Sequence, residues 1–270
     1  MCSSDLVPAG VRADIPGVEM AGVIEAVGER VAGWKPGDRV MALLSGMGHA
    51  TKVAVHERML MPVPANLDLA QAAAVPEVFL TAYDAVFVQS GLQMGESVLI
   101  HAVGSGVGTA AVQMARAQSS RTFGTAGSDE KLHRAKTLGL DVGINYHTQD
   151  FAEVVERETG GKGVNVLLDV IGAPYWEQNM RSMAMRGRVI IVGTMGGATV
   201  ESMNIGALSQ KRLTVRGTLL RARPLEEKAT LVQSFIQHIG PLLAAGTVKP
   251  IIDRVYPFAE IGDAHAYMET

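Results

Sequence analysis

Two hydrophobic patterns divide the chain near Pro76. Before it, short apolar runs separated by glycine and proline predict a small barrel-like all-β module, with strands at 23–27, 39–43 and 51–55. The segment Trp34-Lys35-Pro36-Gly37-Asp38 places proline and glycine where a tight turn needs them. After Pro76, apolar runs alternate with amphipathic stretches, a pattern typical of a parallel sheet with crossover helices.

The second pattern predicts an α/β fold, a Rossmann-type doubly wound parallel sheet. Its strands fall near 97–102, 121–126, 142–145, 164–169, 187–193 and 213–217, and its helices near 105–118, 129–138, 150–159 and 175–184. Beyond the sheet, the pattern predicts a helix from Leu225 to Ala245, a strand at 251–255 and an amphipathic helix from Ile261 to Thr270.

Composition narrows the class of protein. A net charge of −3 and the lack of a long basic run argue against nucleic-acid binding. No apolar run approaches the roughly 20 residues of a membrane span, and the first residues do not resemble a signal peptide. Cys2 is the only cysteine, so we expect no disulfide framework and a cytoplasmic setting.

The strongest candidate for chemistry is a glycine-rich turn. The strand at 97–102 leads into Gly104-Ser105-Gly106-Val107-Gly108, and an alanine-rich helical pattern follows. Unpaired N–H groups at a helix start attract phosphate, and glycine permits a tight turn and a close approach of the backbone to a pyrophosphate. In this context the turn predicts a dinucleotide site, with an ordinary glycine-rich turn as the alternative.

Several blocks together resemble one family. Gly17-Val18-Glu19-Met20-Ala21-Gly22-Val23-Ile24 and Gly37-Asp38-Arg39-Val40 resemble the GroES-like domain of medium-chain dehydrogenases/reductases. Ala72-Ala73-Ala74-Val75-Pro76-Glu77, Gly143-Ile144-Asn145-Tyr146 and Gly193-Thr194-Met195-Gly196-Gly197 resemble NADPH:quinone oxidoreductases, especially the tumour-suppressor-inducible subgroup. The resemblance implies a partial GroES-like β-barrel domain at 1–76 and 247–270, and a Rossmann NADPH-binding domain at 77–246.

The resemblance also implies a chain that is truncated at both ends. Family members continue before the position of Gly17 and add a strand after the position of Thr270, whereas Met1 to Leu6 match nothing in the family. The residues that shape the acceptor pocket lie mostly in the missing N-terminal segment. We therefore predict no particular catalytic residue. The resemblance implies an enzyme, an NADPH-dependent quinone oxidoreductase, and leaves open whether this truncated chain is active.

A metal is not expected. Zinc-dependent members of the superfamily carry a histidine at the position of Val18, and valine offers no atom that can ligate zinc. The cysteine-rich lobe that holds structural zinc is also missing. Glu19, the next residue, is then expected to be a structural carboxylate.

The cofactor preference rests on the end of the second strand of the sheet. NAD-preferring sites place an acid there, but here Gly127 and Ser128 follow the strand. In similar reductases the residues that match Ser128, Lys131 and Tyr146 hold the 2′-phosphate of NADPH. A lysine offers that phosphate a charge and hydroxyls offer hydrogen bonds. The prediction is NADPH, with a solvated surface lysine as the alternative for Lys131.

Other predicted cofactor residues surround the nicotinamide. Thr81 matches a threonine that lies near this ring in similar proteins, whereas nearby Tyr83 is more simply a half-buried aromatic with a paired hydroxyl. The remaining ones follow strand ends, where ligands bind in open α/β sheets. They are Ile171, Gly172, Gly193 and Met195. His101, at the end of the first strand of the sheet, is expected to be a satisfied core histidine.

The implied function is hydride transfer from NADPH to a quinone or a related electron-poor carbonyl or enone. One alternative is a non-catalytic NADPH-binding protein of a crystallin-like or regulatory kind, and another is an enoyl reductase of a synthase. The partner is a small-molecule substrate. The strand at 213–220 forms an exposed edge, and related reductases pair this edge across a two-fold axis, so we also expect a homodimer.

Overall fold

A computed structural model describes residues 15–269. The expectation for Met1 to Leu6 therefore lies outside the described residues. The strands are β1 Glu19–Val23, β2 Arg39–Leu43, β3 Leu60–Pro62, β4 Ser97–Ile100, β5 Arg121–Ala126, β6 Val142–Asn145, β7 Val164–Asp169, β8 Met183–Ile191 and β9 Thr214–Gly217. The helices are α1 Leu69–Ala73, α2 Pro76–Tyr83, α3 Gly106–Ala117, α4 Asp129–Thr137, α5 Phe151–Thr159, α6 Trp176–Ser182, α7 Gly206–Lys211, α8 Leu225–His238, α9 Gly240–Ala244 and α10 Ile261–Met268.

The chain forms two compact units. The first comprises the described residues up to Glu77, the segment 221–236 and the described residues from Pro250 onward. The second comprises 78–220 and 237–249. Most of helix α8 therefore belongs to the first unit, although it follows the last strand of the second unit along the chain.

The second unit contains a six-stranded parallel sheet in the order β6-β5-β4-β7-β8-β9. Counted from β4, this is the order 3-2-1-4-5-6 of a dinucleotide-binding Rossmann sheet. The strand order reverses between β4 and β7, and ligands bind such sheets at the carboxyl ends of the strands on either side of this point. The predicted doubly wound fold is confirmed, and its topology places the expected site beside the glycine-rich turn.

Local chemistry explains the elements around this point. Val98, Leu99 and Ile100 of β4 are fully buried, as the continuous apolar run predicted. Helix α5 begins where the Asp150 carboxylate accepts two backbone N–H groups, and it ends at Gly160, whose φ of 60° suits glycine. Sequence-based boundaries at these elements are correct to within about two residues.

The first unit contains a three-stranded antiparallel sheet in the order β1-β2-β3. Its small core is formed by Val40, Ala42 and Leu60, against which Trp34 packs. The predicted turn before β2 is present, with a φ of 94° at Gly37. This sheet and the parallel sheet together match the predicted fold class, a Rossmann-type domain with a partial GroES-like domain.

Some predicted elements differ in the structure. The first predicted strand, 23–27, is displaced to β1, and segments 51–55 and 251–255 are not strands. An apolar run becomes a strand only when a neighbouring strand completes its backbone hydrogen bonds. Within residues 15–269, no strand pairs with either of these two segments. The helix predicted over 225–245 divides into α8 and α9, because Pro241 cannot continue a helix.

Candidate cofactor site

The glycine-rich turn begins helix α3. Ser105 is its N-cap, and its hydroxyl accepts the N–H group of Gly108 at 3.1 Å. Within the described residues, the N–H groups of Gly106 and Val107 have no hydrogen-bond partner. Two free N–H groups at the start of a twelve-residue helix fit the pyrophosphate that the sequence predicted there.

The glycines of this turn provide space rather than an unusual conformation. The residue with a left-handed φ is Ala102, at 49°, whereas the φ angles of Gly106 and Gly108 are negative. A Cβ atom on Gly108 would lie 2.5 Å from the carbonyl oxygen of Ala102 and 2.7 Å from Cα of Val103. Gly108 therefore allows α3 to pack directly on the chain that leaves β4.

Helix α2 contacts the same turn within the second unit. A Cβ atom on Gly106 would lie 2.7 Å from Cγ1 of Val78. Thr81 follows Val78 by three residues and so lies on the same face of the helix. Thr81 is half-buried, and the structure places it one helical turn from the residue that touches the glycine-rich turn.

The three residues predicted to hold the 2′-phosphate lie around the end of β5. Ser128 is the N-cap of α4, and its hydroxyl oxygen accepts the N–H group of Lys131 at 3.3 Å, which leaves its O–H group free to donate. The stem of Lys131 packs against Gly104, where a Cβ atom would lie 3.3 Å from Cβ of the lysine. Lys131 is therefore adjacent to the glycine-rich turn.

Tyr146 completes this group through Gly127. A Cβ atom at position 127 would lie 2.6 Å from the hydroxyl oxygen of Tyr146. The N–H group of Tyr146 donates to the carbonyl of Ala126 at 3.3 Å, and 41% of the residue remains exposed. Glycine at position 127 therefore has two consequences. The acid that an NAD-preferring site has here is absent, and there is room for the tyrosine hydroxyl.

The predicted nicotinamide residues lie in two adjacent loops. The first follows β7 and the second follows β8, and they meet at a bridge between Gly172 and Gly197. The N–H groups of the four predicted residues are all engaged within the chain. Those of Ile171 and Gly172 donate to the Asp169 carboxylate, that of Gly193 to the Asp169 carbonyl, and that of Met195 to the Val170 carbonyl. These four N–H groups therefore stabilise the two loops.

His101 is a satisfied core histidine, as predicted. It is 1% exposed, and both ring nitrogens have partners, Thr125 and Asn179. Burial lowers the pKa of His101, because the charged ring would lose its hydration. Sequence reasoning missed the partners, because nothing in the spacing of 101, 125, 169 and 179 indicates that they meet.

Tyr83 is an aromatic residue with a paired hydroxyl, as the simpler interpretation of the sequence predicted. It is 5% exposed, and its hydroxyl lies 2.7 Å from Nδ1 of His238. Its burial is more complete than the sequence suggested, since Phe87 stacks on it at 5.9 Å between ring centroids. A ring enclosed in this way supports the fold of the second unit.

Glu19 has a structural role in the first unit. Its Oε2 accepts the N–H group of Glu77, at the first turn of α2, at 2.8 Å. The pKa of Glu19 is raised to about 7, chiefly by burial; the hydrogen bond from the Glu77 N–H group opposes this rise, and the charge of Glu77 adds to it. Within the described residues, no group of three or more His, Cys, Asp or Glu side chains is placed to hold a metal ion.

We expect Glu19→Gln to flatten the pH dependence of stability. Because the folded pKa lies above the ordinary value of 4.5, the contribution of neutral Glu19 is full below pH 4.5 and is lost as the pH rises through about 7. The loss is about 3 kcal/mol at most. Urea unfolding at several pH values measures it, with Glu201→Gln, an exposed position, as the control. Equal slopes in the wild type and Glu19→Gln would contradict this assignment.

No helix in the described part of the chain is long and apolar enough to cross a membrane.

Two family models match the chain. The model described as the alcohol dehydrogenase GroES-like domain matches residues 1–77, and the model described as zinc-binding dehydrogenase matches residues 106–236. The quinone oxidoreductase of Lama guanicoe is 31% identical over 252 residues, which are 93% of this chain and 74% of that protein. These matches agree with the two sheets described above.

Solved structures show the same likeness. Escherichia coli quinone oxidoreductase complexed with NADPH has a TM-score of 0.80 and 30% identity, covering 94% of this chain and 78% of that one. The CurK enoyl reductase has a TM-score of 0.81 and 30% identity, covering 94% and 76%. The fold and the glycine-rich turn thus define an oxidoreductase of the kind that uses a nicotinamide cofactor. The chain belongs to the medium-chain dehydrogenase/reductase superfamily, in the quinone oxidoreductase family.

Proposed function

We propose that this protein transfers a hydride from NADPH to a quinone or a related electron-poor carbonyl or enone. The observation that carries the choice of NADPH is the arrangement around Gly127. No acid stands at the end of β5, the hydroxyl of Tyr146 occupies the space beside Gly127, and Lys131 lies against Gly104. This arrangement offers a phosphate one positive charge and two hydroxyls at the place where an NAD site has a carboxylate.

The chain's own residues bind and orient the cofactor. The N–H groups of Gly106 and Val107 face the pyrophosphate, and Ser128, Lys131 and Tyr146 face the 2′-phosphate. Loops 170–172 and 193–197 orient the nicotinamide, which supplies the hydride when bound. Reduction of an electron-poor acceptor needs no protein nucleophile, so the expected contribution of the protein is positioning.

The test follows NADPH oxidation with an ortho-quinone by the absorbance of the reduced nicotinamide. We expect consumption of NADPH that depends on both protein and quinone, and a slower reaction with NADH. The assay is run with the protein, with the quinone alone and with both together. No consumption of NADPH in the presence of both would overturn the proposed activity.

Two other functions remain distinct outcomes of this assay. The likeness to the CurK enoyl reductase favours a conjugated thioester as a second acceptor. A higher kcat/KM with crotonyl thioester than with the quinone would identify an enoyl reductase. Tight NADPH binding without turnover on either acceptor would identify a non-catalytic NADPH-binding protein. The assignment of residues 1–76 and 247–270 to the substrate and 77–246 to the cofactor stays a prediction.

We also propose a homodimer that forms through the edge of the parallel sheet. Strand β9 lies at that edge and pairs with β8, and its residues are mostly exposed. An exposed edge strand offers unpaired backbone groups to a second copy. Light scattering after size exclusion is expected to give twice the chain mass of 28.6 kDa. A single-chain mass at every concentration tested would contradict this.

A further inference from the structure

A chain of buried hydrogen bonds runs through the second unit where the strand order reverses. Nδ1 of His101 lies 3.0 Å from the hydroxyl of Thr125, and its Nε2 lies 2.7 Å from Oδ1 of Asn179. Nδ2 of Asn179 donates to Oδ2 of Asp169 at 2.9 Å. All four residues are at most 2% exposed, so each polar atom depends on its neighbour in the chain.

We call this set of four side chains, from Thr125 through His101 and Asn179 to Asp169, the relay. Asp169 fixes the direction of every hydrogen bond in it. An ionised carboxylate only accepts, so Asn179 donates to it through the amide nitrogen and presents its oxygen to His101. His101 then carries its proton on Nε2 and accepts from the hydroxyl of Thr125 at Nδ1. The four side chains therefore have a single consistent orientation.

The other oxygen of Asp169 holds the turn that follows β7. It accepts the N–H groups of Ile171 at 2.7 Å and Gly172 at 3.0 Å. Backbone carbonyl oxygens of this turn accept the N–H groups of Met195 at 3.1 Å and Gly196 at 2.9 Å. The relay thus supports both loops that contain the predicted nicotinamide residues.

We propose that His101, Asn179 and Asp169 are positioning residues, which hold segments 170–172 and 193–197 in the conformation that binds the nicotinamide end of the cofactor. Their side chains are too deeply buried to touch the cofactor, so they act through the backbone of the two segments. The inference rests on the proposed function in one respect, namely that these segments bind the nicotinamide.

Asn179→Leu is the variant that breaks the relay. Leucine has a similar volume but leaves Asp169 and His101 without their shared partner. The matched control is Thr122→Val, which removes another fully buried hydroxyl, bonded to Gly139 at 2.9 Å, at the opposite end of β5. Asp169→Asn is the conservative variant. The new amide nitrogen can donate to Asn179, so that each hydrogen bond of the relay reverses. With the proton of His101 on Nδ1, each group is still paired.

Two measurements read the outcome. The first is amide hydrogen exchange of the cofactor-free protein at Ile171 and Gly172, and the second is the Kd for NADPH from the fluorescence of the reduced nicotinamide. We expect Asn179→Leu to speed exchange at both amides and to weaken NADPH binding about tenfold. Thr122→Val should change neither, and Asp169→Asn should stay within about threefold of the wild type.

Unchanged exchange and unchanged Kd in Asn179→Leu, with a wild type that binds NADPH, would overturn this inference alone. A wild type that binds no NADPH would overturn the proposed function and, with it, the role assigned to the relay. If Asn179→Leu does not fold, Thr125→Val removes only the terminal hydroxyl of the relay and is judged by the same two outcomes, with a smaller expected effect.

Discussion

Gly108→Ala is expected to destabilise the second unit by about 3 kcal/mol and to weaken cofactor binding at least tenfold. The added methyl group would lie 2.5 Å from the carbonyl oxygen of Ala102 and 2.7 Å from Cα of Val103. Both are backbone atoms, so no side-chain rotation relieves the overlap and α3 must move away from β4. The same movement would displace the N–H groups of Gly106 and Val107 from the position proposed for the pyrophosphate.

Urea unfolding and NADPH titration measure the two effects of Gly108→Ala. Gly240→Ala is the matched control, since Gly240 begins helix α9 in the same unit. Among residues 15–269, no heavy atom beyond its chain neighbours and its own helix backbone lies within 4 Å of an added Cβ. The control should change stability by less than about 1 kcal/mol. A Gly108→Ala protein as stable as the control would show that the packing of α3 on β4 tolerates a side chain.

Lys131→Met is expected to lower the selectivity for NADPH over NADH by about 10- to 100-fold, the value of a charge-assisted hydrogen bond. Methionine keeps the apolar stem that packs on Gly104 and removes the charge. NADH carries no 2′-phosphate, so its kcat/KM should be almost unchanged. The loss therefore falls on NADPH alone, which separates it from a general defect in folding.

Lys136→Met is the control for the lysine, because Lys136 is exposed in the same helix but lies in its last turn. The kcat/KM of both cofactors is measured for the wild type and the two variants. Equal NADPH-to-NADH ratios in the wild type and Lys131→Met would support the alternative interpretation, in which Lys131 is a solvated surface lysine.

The parallel sheet could be predicted from the sequence because its signals are local. The apolar run of β4, the glycine-rich turn and the alanine-rich helix are contiguous, so their order alone predicts a strand, a turn and a helix. The strands predicted at 51–55 and 251–255 were wrong because strand formation depends on a neighbouring strand from elsewhere in the chain. An apolar run carries no information about whether that neighbour is there.

The candidate site also has some features that the sequence predicts locally and others that only the structure shows. Ser128, Lys131 and Tyr146 follow strand ends that the sequence locates, so topology brings them to one edge of the sheet. The reason for Gly127 is different, because only the structure shows that the hydroxyl of Tyr146 fills the space beside it. The glycines of the turn were expected to permit a tight turn, and only the structure shows that the left-handed angle belongs to Ala102.

The sequence by itself determined the order of the elements, the glycine-rich turn, and the lack of an acid at the end of β5, where Gly127 and Ser128 follow. Each depends on residues that are close together in the chain. The tertiary structure decided which buried polar groups meet, including the relay from Thr125 to Asp169 and the contact of Glu19 with the N–H group of Glu77. Such contacts join residues that are far apart in sequence, and burial then makes each group depend on the partner that the fold supplies.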